Sequence, residues 1–154
     1  MRSTRMRQGR PSADRQRGSA LVEFVALSLI LLIPLMYILL TVFDVQRGAY
    51  GAAAAARAGA RAYNLAGSQG ESQGAAMSAL RTSAEQALED QDVRHWATVG
   101  PPQCSGGCLQ RGSVTTVTVT VRVPLPLPGV MSDWHAPAVT VSSTHSSPYG
   151  EYTE

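Results

Sequence analysis

Hydrophobic and polar positions follow two different patterns along the chain. From Phe24 to Phe43 there is an uncharged, almost wholly apolar stretch of 20 residues, whereas polar and apolar residues are interspersed in the remainder. At about 1.5 Å of rise per residue, 20 helical residues span about 30 Å, which is the thickness of a bilayer core. The pattern therefore predicts a helix that can cross a membrane.

The helical pattern continues beyond the apolar run through an alanine-rich stretch to about Ala66, because alanine is the best helix former. Residues at spacings of three and four predict one helix face, formed by Arg47, Tyr50, Ala54, Arg57 and Arg61. A second stripe of small residues predicts the close approach of another helix, and consists of Gly51, Ala55 and Gly59. A single helix from Ser19 to Ala66 would be on the order of 70 Å long.

A second helix is predicted from "SQGE" at 68–71, where Ser68 and Glu71 have the spacing of a capping box. Arg81 and Glu85 are spaced for an ion pair on its surface. Its predicted apolar face consists of Met77, Leu80, Ala84, Ala87 and Leu88.

Strict alternation of valine with polar residues from Thr116 to Val123 predicts a half-buried antiparallel strand. A second strand is expected at Ala138–Ser143, a third at Val93–Val99, and a frayed tail from Ser146. The fold class predicted is α+β, with a long N-terminal transmembrane and stalk helix followed by one helix packed on a two- to three-stranded antiparallel sheet. The expected organisation is a basic leader at 1–18, the transmembrane and stalk helix at 19–66, and a small extracytoplasmic head at 67–154.

Charge is distributed unevenly along the chain. Six arginines and one acidic residue precede Gly18, whereas seven arginines and ten acidic residues follow it. Basic residues beside a membrane helix favour the cytoplasmic side, so the residues after Asp44 are predicted to lie outside the cytoplasm. The lipid bilayer is the first partner that the sequence indicates.

Glu23 stands at the entrance of the apolar run, where a carboxylate costs about 2.5–3.5 kcal/mol if it is buried in a bilayer. A secretory signal peptide cut near Ala53–Ala55 and a plain single-pass anchor both leave this charge without an explanation. Cleavage after Gly18 would explain it, because the new α-amine of Ser19 lies four residues from Glu23 on one helix face. The three interpretations predict different amino termini.

A glycine, a small residue and a glutamate at the fifth mature position, followed by an apolar run, resemble the class III signal of type IV pilins and pseudopilins. Within that group the stretch is similar to the TadE-like family, the minor pilin-like proteins of Tad/Flp pilus systems. The residues that match are Gly18, Glu23, Phe24, Asp44 and "AAAARAGARA" at 53–62. The resemblance extends to "VTVTVRVPLPLPG" at 117–129 and "AVTVSS" at 138–143.

The resemblance implies that a prepilin peptidase cuts between Gly18 and Ser19, and that Glu23, with Phe24, sets the register of the subunits. It implies two further partners, namely other Tad/Flp pilus subunits and the membrane assembly platform. Major Flp pilins are very short, so the residues from Gly67 onward favour a minor or accessory pilin. The alternative from another class is a plain membrane-anchored envelope protein that binds a ligand through its head.

Cys104 and Cys108 in "CSGGC" are the only cysteines. An oxidising extracytoplasmic setting favours a disulfide across this loop, while free thiols and a metal site, which would need further ligands, stay open as alternatives. The sequence carries no nucleophile, phosphate-binding or dinucleotide-binding motif. We therefore expect a structural protein that is not an enzyme, needs no cofactor and does not bind nucleic acid.

Overall fold

The chain folds as an α+β protein with a long apolar helix at its amino-terminal end. The computed structural model describes residues 14–125 and 137–150, and within the first helix it describes side chains from Ala20 onward. The chain divides after Leu39 into two compact units. The second unit, from Leu40, is called the head below.

Helix α1 runs from Asp14 to Ser68 and continues through Pro34 without interruption. It ends in a Schellman motif, in which Gly70 adopts a φ of +80°. The amide of Glu71 donates to the carbonyl of Ala66 at 3.1 Å, and the amide of Gly70 donates to that of Gly67 at 3.0 Å. The left-handed glycine thus satisfies the last carbonyls of α1 and turns the chain.

Helix α2 runs from Gln73 to Glu89, and its N-cap is Ser72. The hydroxyl of Ser72 accepts a hydrogen bond from the amide of Ala75 at 3.3 Å. The predicted capping box at Ser68 is wrong, because α1 extends through Ser68 and the hydroxyl of that residue donates back to the carbonyl of Leu65.

Within the described residues, four antiparallel strands follow a 3-10 turn at Arg94–Trp96. They are β1 (Ala97–Val99), β2 (Gln103–Ser105), β3 (Val114–Pro124) and β4 (Ala138–Pro148). β4 pairs with β3 along its whole length, from Val114 opposite Pro148 to Pro124 opposite Ala138. β1 and β2 pair with different parts of β3, which makes β3 the strand to which all the others bond.

The break between β1 and β2 lies at Gly100, Pro101 and Pro102. Gly100 donates its amide to the carbonyl of Thr118, and a Cβ there would lie only 2.9 Å from that oxygen. The two prolines have no amide hydrogen to continue the ladder. Along this edge, β3 therefore pairs with two short strands instead of one long strand.

The core of the head lies between the sheet and the two helices. Val117, Val119, Val121 and Val123 alternate along β3 and are all fully buried. The helical side of this core is built from small residues of α1 together with Tyr63, and from Ala76, Leu80, Ala84 and Leu88 of α2. The alternation that predicted β3 is thus the inner face of the sheet.

The small residues of α1 permit its close packing on the rest of the head. A Cβ at Gly59 would lie 3.3 Å from Cγ of Leu80 and 3.4 Å from Cβ of Ala84. Gly59 therefore lets α2 of the same chain approach α1, whereas Gly51 faces Val93, which lies beyond the end of α2.

The predicted fold class is confirmed, with one strand more than expected. β2 was not predicted, and the predicted third strand at Val93–Val99 forms only from Ala97. A frayed tail was predicted from Ser146 onward. This is wrong for residues 146–148, because β4 extends to Pro148. Most of the predicted proline turn after β3 lies outside the described residues.

Candidate functional site

The membrane-length segment of α1 exposes its side chains on every side. All residues from 20 to 39 are exposed, including Phe24 at 70% and Leu31 at 73%. Of the helices that the structure describes, α1 alone is long and apolar enough to cross a membrane. Such a surface is not that of a core helix in a soluble protein, since none of its most apolar window is buried. A membrane anchor is compatible with this surface.

Glu23 lies on this exposed segment, near its amino-terminal end. Among the described side chains, the ion pairs are those of Arg94 with Glu85 and Glu89, so Glu23 has no cationic partner there. Gly18 and Ser19 are part of α1, where the structure describes their backbone alone. The helical spacing of four between Ser19 and Glu23 is present, whereas the pairing and the cleavage themselves stay predictions.

Phe24 directs an apolar ring away from its own chain, since it is 70% exposed. Its backbone carbonyl accepts a second hydrogen bond from the hydroxyl of Ser28, at 2.8 Å. Back-bonding of this kind satisfies a serine hydroxyl within an apolar helix. The segment thus presents one carboxylate and an otherwise apolar surface.

The head has an exposed helix face, which we name the α1 outer face. Tyr50 and Leu65 are 70% and 60% exposed on it. The face consists of Arg47, Tyr50, Ala54, Arg57, Arg61 and Leu65, all of which are exposed. The predicted helix face is therefore confirmed, and it combines three arginines with an aromatic and an aliphatic side chain.

The second charged feature of the head, named the α2 acidic patch, consists of Glu85, Glu89, Asp90 and Asp92. Arg94 donates from Nη2 to Oε2 of Glu85 at 2.9 Å and from Nη1 to Oε2 of Glu89 at 3.0 Å. Donation to Glu89 and the negative charge of Glu85 raise the pKa of Arg94 above its ordinary value. The guanidinium therefore stays charged and holds two carboxylates one helical turn apart.

The sequence prediction that Glu85 pairs with Arg81 is not the arrangement observed, because Arg94 takes this carboxylate. Arg94 lies beyond the end of α2, so no helical spacing signals its contact with Glu85. Only the tight turn at Asp92, which has a φ of +56°, brings Arg94 back beside α2.

Cys104 and Cys108 are joined by a disulfide, with their Cα atoms 5.2 Å apart. Gly106 and Gly107, with φ values of +80° and +105°, form the turn within the loop. Cys104 lies on β2 opposite Thr115 of β3. The covalent loop thus closes directly beside the edge of the sheet.

Within the described ranges, no three histidine, cysteine, aspartate or glutamate residues are grouped so that they could hold a metal ion. The features that stand out are therefore surfaces, namely the exposed apolar segment and the two charged faces of the head.

Comparison with known proteins found no family model, no curated protein and no solved structure that matches this chain.

Proposed function

We propose that this chain is a TadE-like minor pilin or pseudopilin, a structural subunit that takes part in Tad/Flp pilus assembly after a prepilin peptidase cuts it following Gly18. In this proposal the exposed segment of α1 lies in the cell membrane, with the leader in the cytoplasm and the head outside. The subunit catalyses no reaction. Its partners are the peptidase, the other pilus subunits, the assembly platform and the bilayer.

The observation that carries the proposal is the exposed Glu23 near the start of the segment 20–39 of α1, in which every apolar side chain is exposed. A fully apolar entrance would suffice for a plain anchor, and a carboxylate opposes insertion. A processed neighbour or the chain's own mature terminus would supply an amine that offsets the charge. In an assembly of many subunits, one such pair in each contact would fix how far neighbouring helices are staggered.

The first test determines the amino terminus of the chain in the membrane fraction of its host, by intact mass and peptide sequencing. The expected terminus is Ser19. A Gly18→Leu chain is expected to keep its leader, because a bulky residue at the cut site excludes the peptidase. A wild-type chain that still begins at Met1 beside an active peptidase would make it a plain anchor instead.

Replacing Glu23 by alanine should leave the protein in the membrane and strongly reduce its incorporation into pili, since the register charge is lost. Membrane fractionation and quantitative detection of the subunit in sheared pili measure the two effects separately. Glu71→Ala is the matched control, because it removes an exposed carboxylate from the loop between the two helices, outside the apolar run and outside the residues that carry the resemblance. Equal incorporation of the Glu23→Ala and wild-type chains would contradict the register role.

A further inference from the structure

The α1 outer face carries more positive charge than its own chain neutralises. Arg57 and Arg61 are exposed, and the ion pairs among the described side chains all belong to Arg94. Arginine with an exposed aromatic neighbour, here Tyr50, is the composition in which protein interfaces are enriched. This face therefore has the chemistry of a contact surface.

The α2 acidic patch carries the complementary charge, on the last turns of α2 and the residues that follow it. Arg94 binds Oε2 of Glu85 and Oε2 of Glu89, and no other described residue forms a hydrogen bond to Oε1 of either carboxylate. Side-chain exposures of 46% for Glu85 and 67% for Glu89 leave these oxygens accessible. Two carboxylates held by one guanidinium keep a net negative charge, to which Asp90 and Asp92 add.

The spacing of the two sets of charges also matches. Arg57 and Arg61 are four residues apart on α1, and Glu85 and Glu89 are four residues apart on α2. Residues with this helical spacing have Cβ atoms about 5–6 Å apart. Two arginines of one helix can therefore meet two glutamates of another helix at the same time.

We propose that the α1 outer face of one copy binds the α2 acidic patch of a second copy of this chain. The contact joins two different surfaces, so a pair of copies keeps one free α1 outer face and one free α2 acidic patch, and the association can continue from copy to copy. Arg94 acts as a positioning residue, since it fixes the spacing of the two glutamates. This inference deepens the proposed function by naming a head-to-head contact between neighbouring subunits.

Site-specific photo-crosslinking of the full chain tests the contact. The chain is purified from its host, reconstituted in vesicles of zwitterionic lipid, and carries p-benzoylphenylalanine in place of Ala54, an exposed residue within the α1 outer face. Trypsin cuts after Arg81 and Arg94, so the expected crosslinked product contains the peptide 82–94 of a second copy. Crosslinks confined to another segment would overturn the proposal.

Charge exchange provides the decisive variants. Arg57→Glu with Arg61→Glu should lower the crosslinking yield about tenfold, and Glu85→Arg with Glu89→Arg should do the same, because like charges then face each other. All four substitutions in one chain that also carries Arg94→Glu, which keeps the bridging charge opposite to the two new arginines, should restore the yield, detected by intact-dimer mass. Arg111→Glu with Arg122→Glu is the matched control, since both residues are exposed outside the two surfaces.

Failure of this five-fold variant to recover, while its head stays as resistant to protease as the wild type, would overturn the proposal. Crosslinking to lipid alone when anionic lipid is added would also overturn it, because the arginines would then bind headgroups. The amino terminus is determined in the same samples. If the chain begins at Ser19 but the crosslink to peptide 82–94 is missing, this contact alone is refuted. If the chain begins at Met1 and the crosslink is present, only the proposed processing is refuted.

Discussion

Replacing Val119 by aspartate is expected to prevent the head from folding. Val119 is fully buried in the middle of β3, paired with Val99 of β1 and Ser143 of β4. A buried, unpaired carboxylate costs several kcal/mol even after relaxation, and whole domains are stable by only about 5–15 kcal/mol. Urea unfolding of the full chain in detergent, followed by tryptophan fluorescence and by limited proteolysis of the head, measures the loss.

Thr118→Asp is the matched control, because it places the same side chain one residue away on the exposed face of the same strand. Thr118 is exposed, and its hydroxyl forms a hydrogen bond of 3.0 Å with that of Thr144. Loss of such a bond costs about 1 kcal/mol, so the Thr118 variant should fold. Equal stability of the two variants would show that the buried face of β3 is assigned incorrectly.

Replacing Gly51 by alanine should destabilise the head by about 1–3 kcal/mol, although alanine is the better helix former. A Cβ at Gly51 would lie 2.6 Å from Cγ2 of Val93 and 3.4 Å from Cβ of Gln91. Val93 is buried and β-branched, so its side chain has few other rotamers to adopt. The midpoint of urea unfolding of the full chain gives the change.

Gly74→Ala is the comparison for this substitution, because Gly74 is exposed in α2 and its added Cβ would meet only the hydroxyl of Ser72, at 3.9 Å. There the gain in helix propensity, up to about 1 kcal/mol, should raise stability. The two glycine substitutions should therefore have opposite signs. Stabilisation by both would mean that α1 does not approach Val93 closely.

The parts of the fold that sequence reasoning predicted are those in which burial repeats with a regular period. The valines of β3 alternate with polar residues because one face of the strand is buried, and the exposed residues of the α1 outer face recur every three or four residues for the same reason. The length of β4 was underestimated because its second half, "STHSSP", has no apolar alternation. Pairing with β3 supports it, including the hydroxyl contact of 2.9 Å between Thr116 and Ser146.

Contacts that depend on where the chain turns, such as the helix cap and the ion pair of Glu85, were harder to predict. Ser68 and Ser72 both precede helix-forming residues, and the choice between them is made by Gly70, whose left-handed backbone ends α1 before α2 begins. The contact of Arg94 with Glu85 depends on the turn at Asp92 and has no signature in spacing. Of the candidate site, the exposed apolar segment follows from composition, whereas processing at Gly18 and the role of Glu23 are predictions that come from a resemblance.

The position of β3 in the chain has a consequence for synthesis on the ribosome. Every other strand bonds to β3, and its valines cover the alanine face of α1, yet β3 begins only at Val114. Contacts between segments so distant in sequence form late, because the intervening chain must first be made and its closure entropy overcome. A nascent chain that stops before Val114 therefore lacks the sheet side of its core, and cellular proteases should remove it more readily than the finished protein.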